Sequence, residues 1–118
     1  MFGDLNRAEL MGNITNDLQL RHTATGSSVI SFGLATNRRF KKQESDEWTE
    51  ETTFHNVVIW GKMAEGFFER AKKGTRIYVA GRLQTRTWND DNGKKNFKTE
   101  LIAENLILVD HYDRDKLS

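Results

Sequence analysis

The sequence predicts an all-β domain with one helix, built as a five-stranded Greek-key barrel with the helix between strands three and four. Three observations lead to this prediction. Several stretches alternate with the period of two of a strand, one segment at residues 62–73 has helical periodicity, and glycine-containing turns separate the rest. A chain of 118 residues suffices for one domain with a single core.

The clearest strand covers residues 51–60, and its second half separates into two faces. One face carries His55, Val57 and Ile59, and the other carries Phe54, Asn56, Val58 and Trp60. Two rings opposite an aliphatic face suit an exposed platform for unpaired bases, because flat rings beside cations stack on nucleobases. Alternatively, the two rings pack in a second hydrophobic layer whose edge meets solvent. This strand alone does not decide between the two interpretations.

Two strands are predicted before it. Residues 5–20 alternate loosely and are interrupted at Gly12, which predicts one long strand bent by a bulge or a glycine kink. Residues 29–40 form the second strand, with one apolar face and one face of small side chains. Residues 36–42 then place four basic side chains around Phe40. This mixture suits the binding of phosphates beside a nucleobase that is stacked on the ring. Charge that protects a strand edge from pairing is the alternative explanation.

Residues 43–50 predict a polar, acidic loop. We expect Trp48 to be an exposed residue of this loop, with a loop anchor or an additional stacking ring as the alternatives. The helix at residues 62–73 is predicted to end at Lys72-Lys73-Gly74, with cations at its negative end and glycine at its stop. Its apolar side chains are expected to cover the core, and they are Met63, Phe67, Phe68 and Ala71.

The fourth strand is predicted at residues 75–88, and one of its faces again combines basic side chains with aromatic rings. Its predicted inward residues are Ile77, Val79, Gly81 and Leu83, and its predicted outward residues are Arg76, Tyr78, Ala80, Arg82, Gln84, Arg86 and Trp88. A hairpin turn follows at residues 89–93, where Asn92-Gly93 is expected to supply positive φ at both central positions. The fifth strand spans residues 96–109. This order and length fit a Greek-key barrel of the oligonucleotide-binding (OB) kind.

Composition narrows the class of protein. The chain has no cysteine, which excludes disulfides and thiolate metal sites, and its three histidines match no metal spacing. We expect no cofactor, no membrane association and a cytoplasmic, nucleoid-associated location. Residues 44–51 hold five acids and no base, so the remainder carries 18 bases against 12 acids. Charge segregated in this way suits an anionic partner, but taken by itself it is more simply explained by a solvated acidic loop beside an ordinary surface.

The assembled motifs resemble the bacterial single-stranded DNA-binding proteins (SSB). The resemblance covers residues 5–110 in order, and no single block of it would suffice. Its blocks are Gly12-Asn13, FGLATNRRF at residues 32–40, ETTFHNVVIWGKMAE at residues 51–65, Lys72-Lys73-Gly74, YVAGRLQTRTW at residues 78–88, and Thr99-Glu100.

The resemblance implies sequence-independent binding and protection of single-stranded DNA in replication, recombination and repair, without enzymatic activity. The family's stacking rings correspond to Phe40, Phe54, Trp60 and Trp88. The candidate phosphate ligands are Arg38, Arg39, Lys41, Lys62, Lys72, Lys73, Arg76, Arg82 and Arg86. The family usually forms homotetramers, so the resemblance implies a homotetramer with His55 and Tyr78 at or near subunit contacts. A core histidine with its hydrogen bonds satisfied is the alternative for His55.

The resemblance also suggests a division of the chain. Residues 1–112 are expected to form the OB-fold domain, and residues 113–118 a short polar end. The family usually continues into a Gly/Pro/Gln-rich tail with an acidic tip that recruits replication and repair proteins. This chain has no proline and ends in Asp115-Lys116-Leu117-Ser118, so such recruitment is expected only if a longer natural tail exists.

Three alternatives remain open at this stage. The same fold could bind RNA, which would require dependence on the 2′-hydroxyl. An enzyme would need converging His, Asp or Glu side chains, and the acidic cluster at residues 44–51 has no histidine before His55. A purely structural barrel would leave four rings on basic strands without a purpose.

Overall fold

A computed structural model describes residues 3–109 of the protein. Within these residues, six strands and one helix follow one another. They are β1 (Ala8–Ile14), β2 (Arg21–His22), β3 (Ser28–Lys41), β4 (Trp48–Trp60), α1 (Gly61–Arg70), β5 (Arg76–Asn89) and β6 (Lys95–Leu108). No helix in this part of the chain is long and apolar enough to cross a membrane.

The five longer strands close into a barrel in the order β1–β5–β6–β4–β3. Closure comes from β1, which pairs with β5 along most of its length and then with β3 at Asn13 and Ile14. Strands β4 and β6 run parallel, whereas the other pairs are antiparallel. The predicted five-stranded OB barrel, with its helix between the third and fourth long strands, is confirmed.

The core lies inside the barrel and under the helix. The inward side chains of β3, β4, β5 and β6 supply its fully buried aliphatic residues, and Ile14 of β1 completes the set. Helix α1 adds Ala64 and Phe67, and the Phe67 ring stacks on Phe32 with 5.2 Å between ring centroids. Because α1 directly follows β4, this packing fixes the end of β4 that carries Trp60.

Two glycines permit the close approach of strands. A Cβ on Gly12 would overlap the backbone carbonyl of Ala35, so only glycine lets β1 cross onto β3 and close the barrel. A Cβ on Gly81 would overlap the carbonyl of Ile102, at the point where a bulge shifts the register between β5 and β6. The kink predicted at Gly12 is therefore a closure point.

Some predicted boundaries were wrong. The first strand ends at Ile14, and only a two-residue strand follows at residues 21–22, instead of one strand over 5–20. Helix α1 ends at Arg70, so Lys72 and Lys73 lie in the turn after it and do not cap its last turn. Strand β4 begins at Trp48, which is thus an exposed strand residue and not a loop residue. The predicted polar end at residues 113–118 lies outside the described residues.

Some predicted side-chain orientations were also wrong. Met63 and Phe68 are substantially exposed, because α1 turns only its Ala64 and Phe67 side fully toward the barrel. Along β5, Ala80 is fully buried although it was expected to face outward. Leu83 is exposed, but it lies directly opposite the buried Leu101 of β6 and so remains on the inward face.

The β5–β6 turn differs from the predicted type. Positive φ occurs at Gly93 but at no non-glycine residue of the described chain, so Asn92 has ordinary backbone geometry. The Gly93 amide donates to the Asp90 carbonyl, and the Asp90 and Lys94 backbones close the hairpin. This arrangement, with Gly93 as the left-handed residue before the closing pair, is a type I turn with a glycine bulge.

Candidate nucleic-acid interface

Strand β4 presents two rings on the outside of the barrel. Val57 and Ile59 are fully buried, whereas Phe54 is 70% exposed and Trp60 is 46% exposed. The two faces predicted from alternation are therefore present. Val58 shares the outer face of the rings but is buried, because it lies in the floor of a groove. The rings do not belong to a second core layer.

The groove crosses β3, β4, β6 and β5 on this outer face. It has a volume of about 360 Å³, and its lining includes Ser31, Val58, Trp60, Arg86, Glu100 and Ile102. An adjoining concavity of about 310 Å³ shares Ser31 and Glu100 with it and reaches Asn16, Asn56 and Lys98. The two adjoining concavities are lined by aromatic rings, cations and polar groups.

An ion pair organises the β5 side of the groove. The Nε of Arg86 donates to Oε1 of Glu100 at 2.6 Å, and Nη2 lies 3.5 Å from Oε2. The Glu100 side chain is 3% exposed and that of Arg86 is 55% exposed. This hydrogen bond raises the pKa of the Arg86 guanidinium, with the Glu100 charge as the second cause. The pair fixes Arg86 with its Cζ 5.5 Å from the Trp88 ring centroid.

Glu100 is a site residue for which the sequence reasoning gave no role. The cross-strand register places it directly opposite Gln84 and diagonal to Arg86 on the outer face. The sequence does contain a signal for this residue, since Glu100 is an acid at an alternating position of its strand and lies diagonal to an arginine of the neighbouring strand. Its use required the β5–β6 register, which sequence alone did not provide.

The β3–β4 hairpin divides the predicted rings between two faces. Its register places Phe40 and Arg38 on the face opposite to Phe54. Arg38 lies over the Phe40 ring, 4.4 Å from its centroid, and forms an ion pair of 3.7 Å with Glu51. The structure therefore brings Phe54, Trp60 and Trp88 onto the outer surface, while Phe40 lies on the reverse side of the hairpin.

The predicted phosphate ligands fall into separate groups. Arg82 and Arg86 flank the groove on β5, and Lys62 lies at the start of α1 beside Trp60. A second group surrounds a concavity of about 360 Å³ at the other end of β5 and contains Lys72, Lys73 and Arg76, with Arg70 beside them. Arg76 and Arg86 are ten residues apart on one strand, or about 33 Å.

The residues predicted to lie at subunit contacts have different environments. His55 is half-buried, and its Nε2 forms a hydrogen bond of 2.9 Å with Oγ1 of Thr36. Tyr78 is half-buried between Met11 on β1 and Ile107 on β6, which are its direct cross-strand partners. Both of these neighbours are exposed, so the three residues form an apolar strip on the outside of the barrel.

In the described part of the chain, acidic and imidazole groups do not converge on one site. Among residues 3–109, no three His, Asp or Glu side chains lie together in a way that could hold a metal ion.

Known proteins with similar sequence and structure agree with this surface. The model of the single-strand binding protein family matches residues 5–109. The Single-stranded DNA-binding protein 1 of Chlorobaculum tepidum is 41% identical over 106 residues, which cover 89% of this chain and 65% of that protein. The Single-stranded DNA-binding protein of Rickettsia prowazekii is 39% identical over 116 residues, which cover 94% of this chain and 76% of that protein.

A solved structure extends the comparison to three dimensions. The Plasmodium falciparum SSB in complex with ssDNA superposes with a TM-score of 0.82 and 28% identity, covering 93% of this chain and 99% of that one. The family model matches residues 5–109, and the solved structure has the same barrel fold, so sequence and structure indicate the same family. The chain belongs to the single-strand binding protein family.

Proposed function

We propose that this protein binds and protects single-stranded DNA, independently of sequence, during replication, recombination and repair. The observation that supports this most is the outer surface of the barrel, where Phe54, Trp60 and Trp88 are exposed beside cations. Family membership and the ssDNA-bound structural neighbour agree with it. The protein acts by binding and performs no catalysis.

Base stacking supplies the sequence-independent part of the affinity. Every nucleobase has a π-face, and each base stacked on an aromatic ring contributes about 1–3 kcal/mol. The Phe54 ring already faces solvent, so no core has to open before a base reaches it. In a duplex the nucleobases are stacked on one another, so no free base face is available to the aromatic rings of this surface.

Phosphate neutralisation supplies the remainder. Each phosphate contact on a single strand adds about −0.7 to the slope of log K against log salt. A strand in the groove passes Arg82, Arg86 and Lys62 first, and it reaches the distant group only by continuing around the barrel. The proposed ligands are Arg38, Arg39, Lys41, Lys62, Lys72, Lys73, Arg76, Arg82 and Arg86.

The protein is further proposed to form a homotetramer with Tyr78 and His55 at or near the contacts between copies. Support comes from the exposed strip of Met11, Tyr78 and Ile107, which a second copy would cover. Sedimentation equilibrium measures the assembly directly. A mass of one chain at all concentrations would contradict the proposal.

A titration of intrinsic tryptophan fluorescence tests DNA binding. Oligo-dT, the equivalent RNA and a duplex are each added at low and at high salt. We expect strong quenching by oligo-dT, little response to duplex, and weaker binding at high salt. Duplex binding as tight as single-strand binding would refute stacking, and an equal response to RNA would replace DNA with single-stranded nucleic acids in general.

A further inference from the structure

Trp48 stands on the same strand and the same face as two of the proposed stacking rings. It is the first residue of β4, is 60% exposed, and lies directly opposite Lys41. Intervals of six residues separate Trp48 from Phe54 and Phe54 from Trp60, so all three point to the outer face. At strand spacing each interval is about 20 Å, and the row is about 40 Å long.

Two cations lie against the Trp48 ring. The Nζ of Lys41 is 5.2 Å from the ring centroid, and the Cζ of Arg39 is 5.6 Å from it. Glu50 lies directly across from Arg39, yet within residues 3–109 neither cation forms an ion pair. Both therefore remain available beside the ring.

The two faces of the β3–β4 hairpin differ in charge. The reverse face carries Arg38 with Glu51, which pair with each other. The outer face carries Arg39 and Lys41 against Glu50 alone, and it continues directly to Phe54. The outer face thus combines an exposed ring with a surplus of positive charge, which is what a stacked base and its phosphate require.

From this arrangement we infer that Trp48, with Arg39 and Lys41, forms an additional stacking site for single-stranded DNA. The inference rests on the proposed function and lengthens the path that the strand follows along β4. A base stacks on the exposed part of the Trp48 ring, and the two cations neutralise the adjoining phosphates. A strand that already occupies Trp60 and Phe54 reaches Trp48 only if it spans the whole row.

The experiment isolates Trp48 as the single fluorophore. The double variant Trp60→Phe/Trp88→Phe keeps a ring at both positions, and Trp48 is then the remaining tryptophan of the chain. Binding is followed independently by the anisotropy of end-labelled oligo-dT. We expect long oligo-dT to quench Trp48 and to shield it from acrylamide, while oligo-dT too short to span the row binds without quenching it.

A matched variant and an affinity measurement complete the test. In Trp48→Phe/Trp88→Phe, which retains Trp60, both long and short oligo-dT should quench the fluorescence. Trp48→Ser should weaken the binding of long oligo-dT on the order of 5- to 100-fold and leave short oligo-dT unchanged. Since Trp48 is largely exposed, this variant should keep the wild-type circular dichroism.

The outcomes separate this inference from the proposed function. Anisotropy that reports binding of long oligo-dT without any change at Trp48 overturns the additional site and leaves the proposed function intact. Absence of binding by anisotropy overturns both. A Trp48 signal that changes with protein concentration in the absence of DNA assigns the ring to a contact between copies and also overturns the site.

Discussion

The Arg86–Glu100 pair leads to a prediction in which folding and binding change in different directions. Glu100 is buried in the groove floor, whereas half of the Arg86 side chain is exposed. Removing the cation by Arg86→Ala leaves a buried carboxylate without its partner. Removing the charge by Glu100→Gln leaves a solvated cation and keeps an oxygen that can accept the Nε hydrogen bond. We therefore expect Arg86→Ala to destabilise the fold more than Glu100→Gln.

The magnitudes follow from burial. Breaking a fully buried ion pair costs about 3–5 kcal/mol. Water can reach the exposed half of Arg86, so we expect a smaller loss of about 1–3 kcal/mol in the free energy of unfolding for Arg86→Ala. Glu100→Gln should cost about 1 kcal/mol, because one charge-assisted hydrogen bond becomes an ordinary one. The double variant should recover on the order of 1 kcal/mol relative to Arg86→Ala, since no charge is then left buried.

DNA affinity should change in the opposite sense for Glu100→Gln. For a phosphate bound at a distance of about 10 Å from Glu100, loss of the negative charge is worth about 0.4 kcal/mol in water, or about twofold tighter binding at low salt. Arg86→Ala should weaken binding and reduce the salt slope by about 0.7.

Urea unfolding at a common m-value measures the stabilities, and oligo-dT anisotropy at several salt concentrations measures the binding. Glu104→Gln, an exposed change on the same strand, provides the control. Greater instability of Glu100→Gln than of Arg86→Ala, or weaker DNA binding by Glu100→Gln, would refute the reasoning.

Two further predictions concern the scaffold. Gly12→Ala should lower the free energy of unfolding in urea by about 1–3 kcal/mol, because its Cβ would overlap backbone at the closure point. The control Gly66→Ala, in an open helical position, should raise that free energy by about 0.5–1 kcal/mol. Equal effects of the two substitutions would contradict the closure role of Gly12. Backbone hydrogen bonds, first that from Lys94, lower the pKa of Asp90 from its ordinary 3.8. The Asp90 carboxylate therefore stabilises the hairpin fully at pH values above its ordinary pKa, and this stabilisation is lost as pH falls through the lowered pKa. Amide hydrogen exchange of the hairpin should show this loss both in the wild type and in the control Asp91→Asn. A hairpin whose exchange is unaffected by acid would contradict the prediction.

Sequence patterns predicted those parts of the fold in which one face is buried. Alternation along β4 separated Val57 and Ile59 from Phe54 and Trp60 because the interior of the barrel enforces the period of two. Alternation also located the long strands along the chain, and helical periodicity located the helix between the third and fourth of them. The closure point at Gly12 was visible as an interruption, although its partner strand was not.

The remaining features depend on pairings that a local pattern does not encode. Beyond the barrel, both faces of the β3–β4 hairpin meet solvent, so hydrophobicity marked neither the start of β4 at Trp48 nor the face of Phe40. The bulge beside Gly81 and the burial of Glu100 became visible only with the β5–β6 register. The predicted DNA-contacting residues stay predictions, now distributed over defined surfaces.

Base stacking on an exposed ring is the central claim, and Phe54 tests it most directly. Its exposure allows Phe54→Leu and Phe54→Tyr without disturbing the core. We expect Phe54→Leu to lose about 1–3 kcal/mol of oligo-dT binding free energy at an unchanged salt slope, while Phe54→Tyr binds like the wild type. Phe68→Leu, an exposed phenylalanine on α1, serves as the control. Oligo-dT binding by Phe54→Leu as tight as that of the wild type would contradict the account.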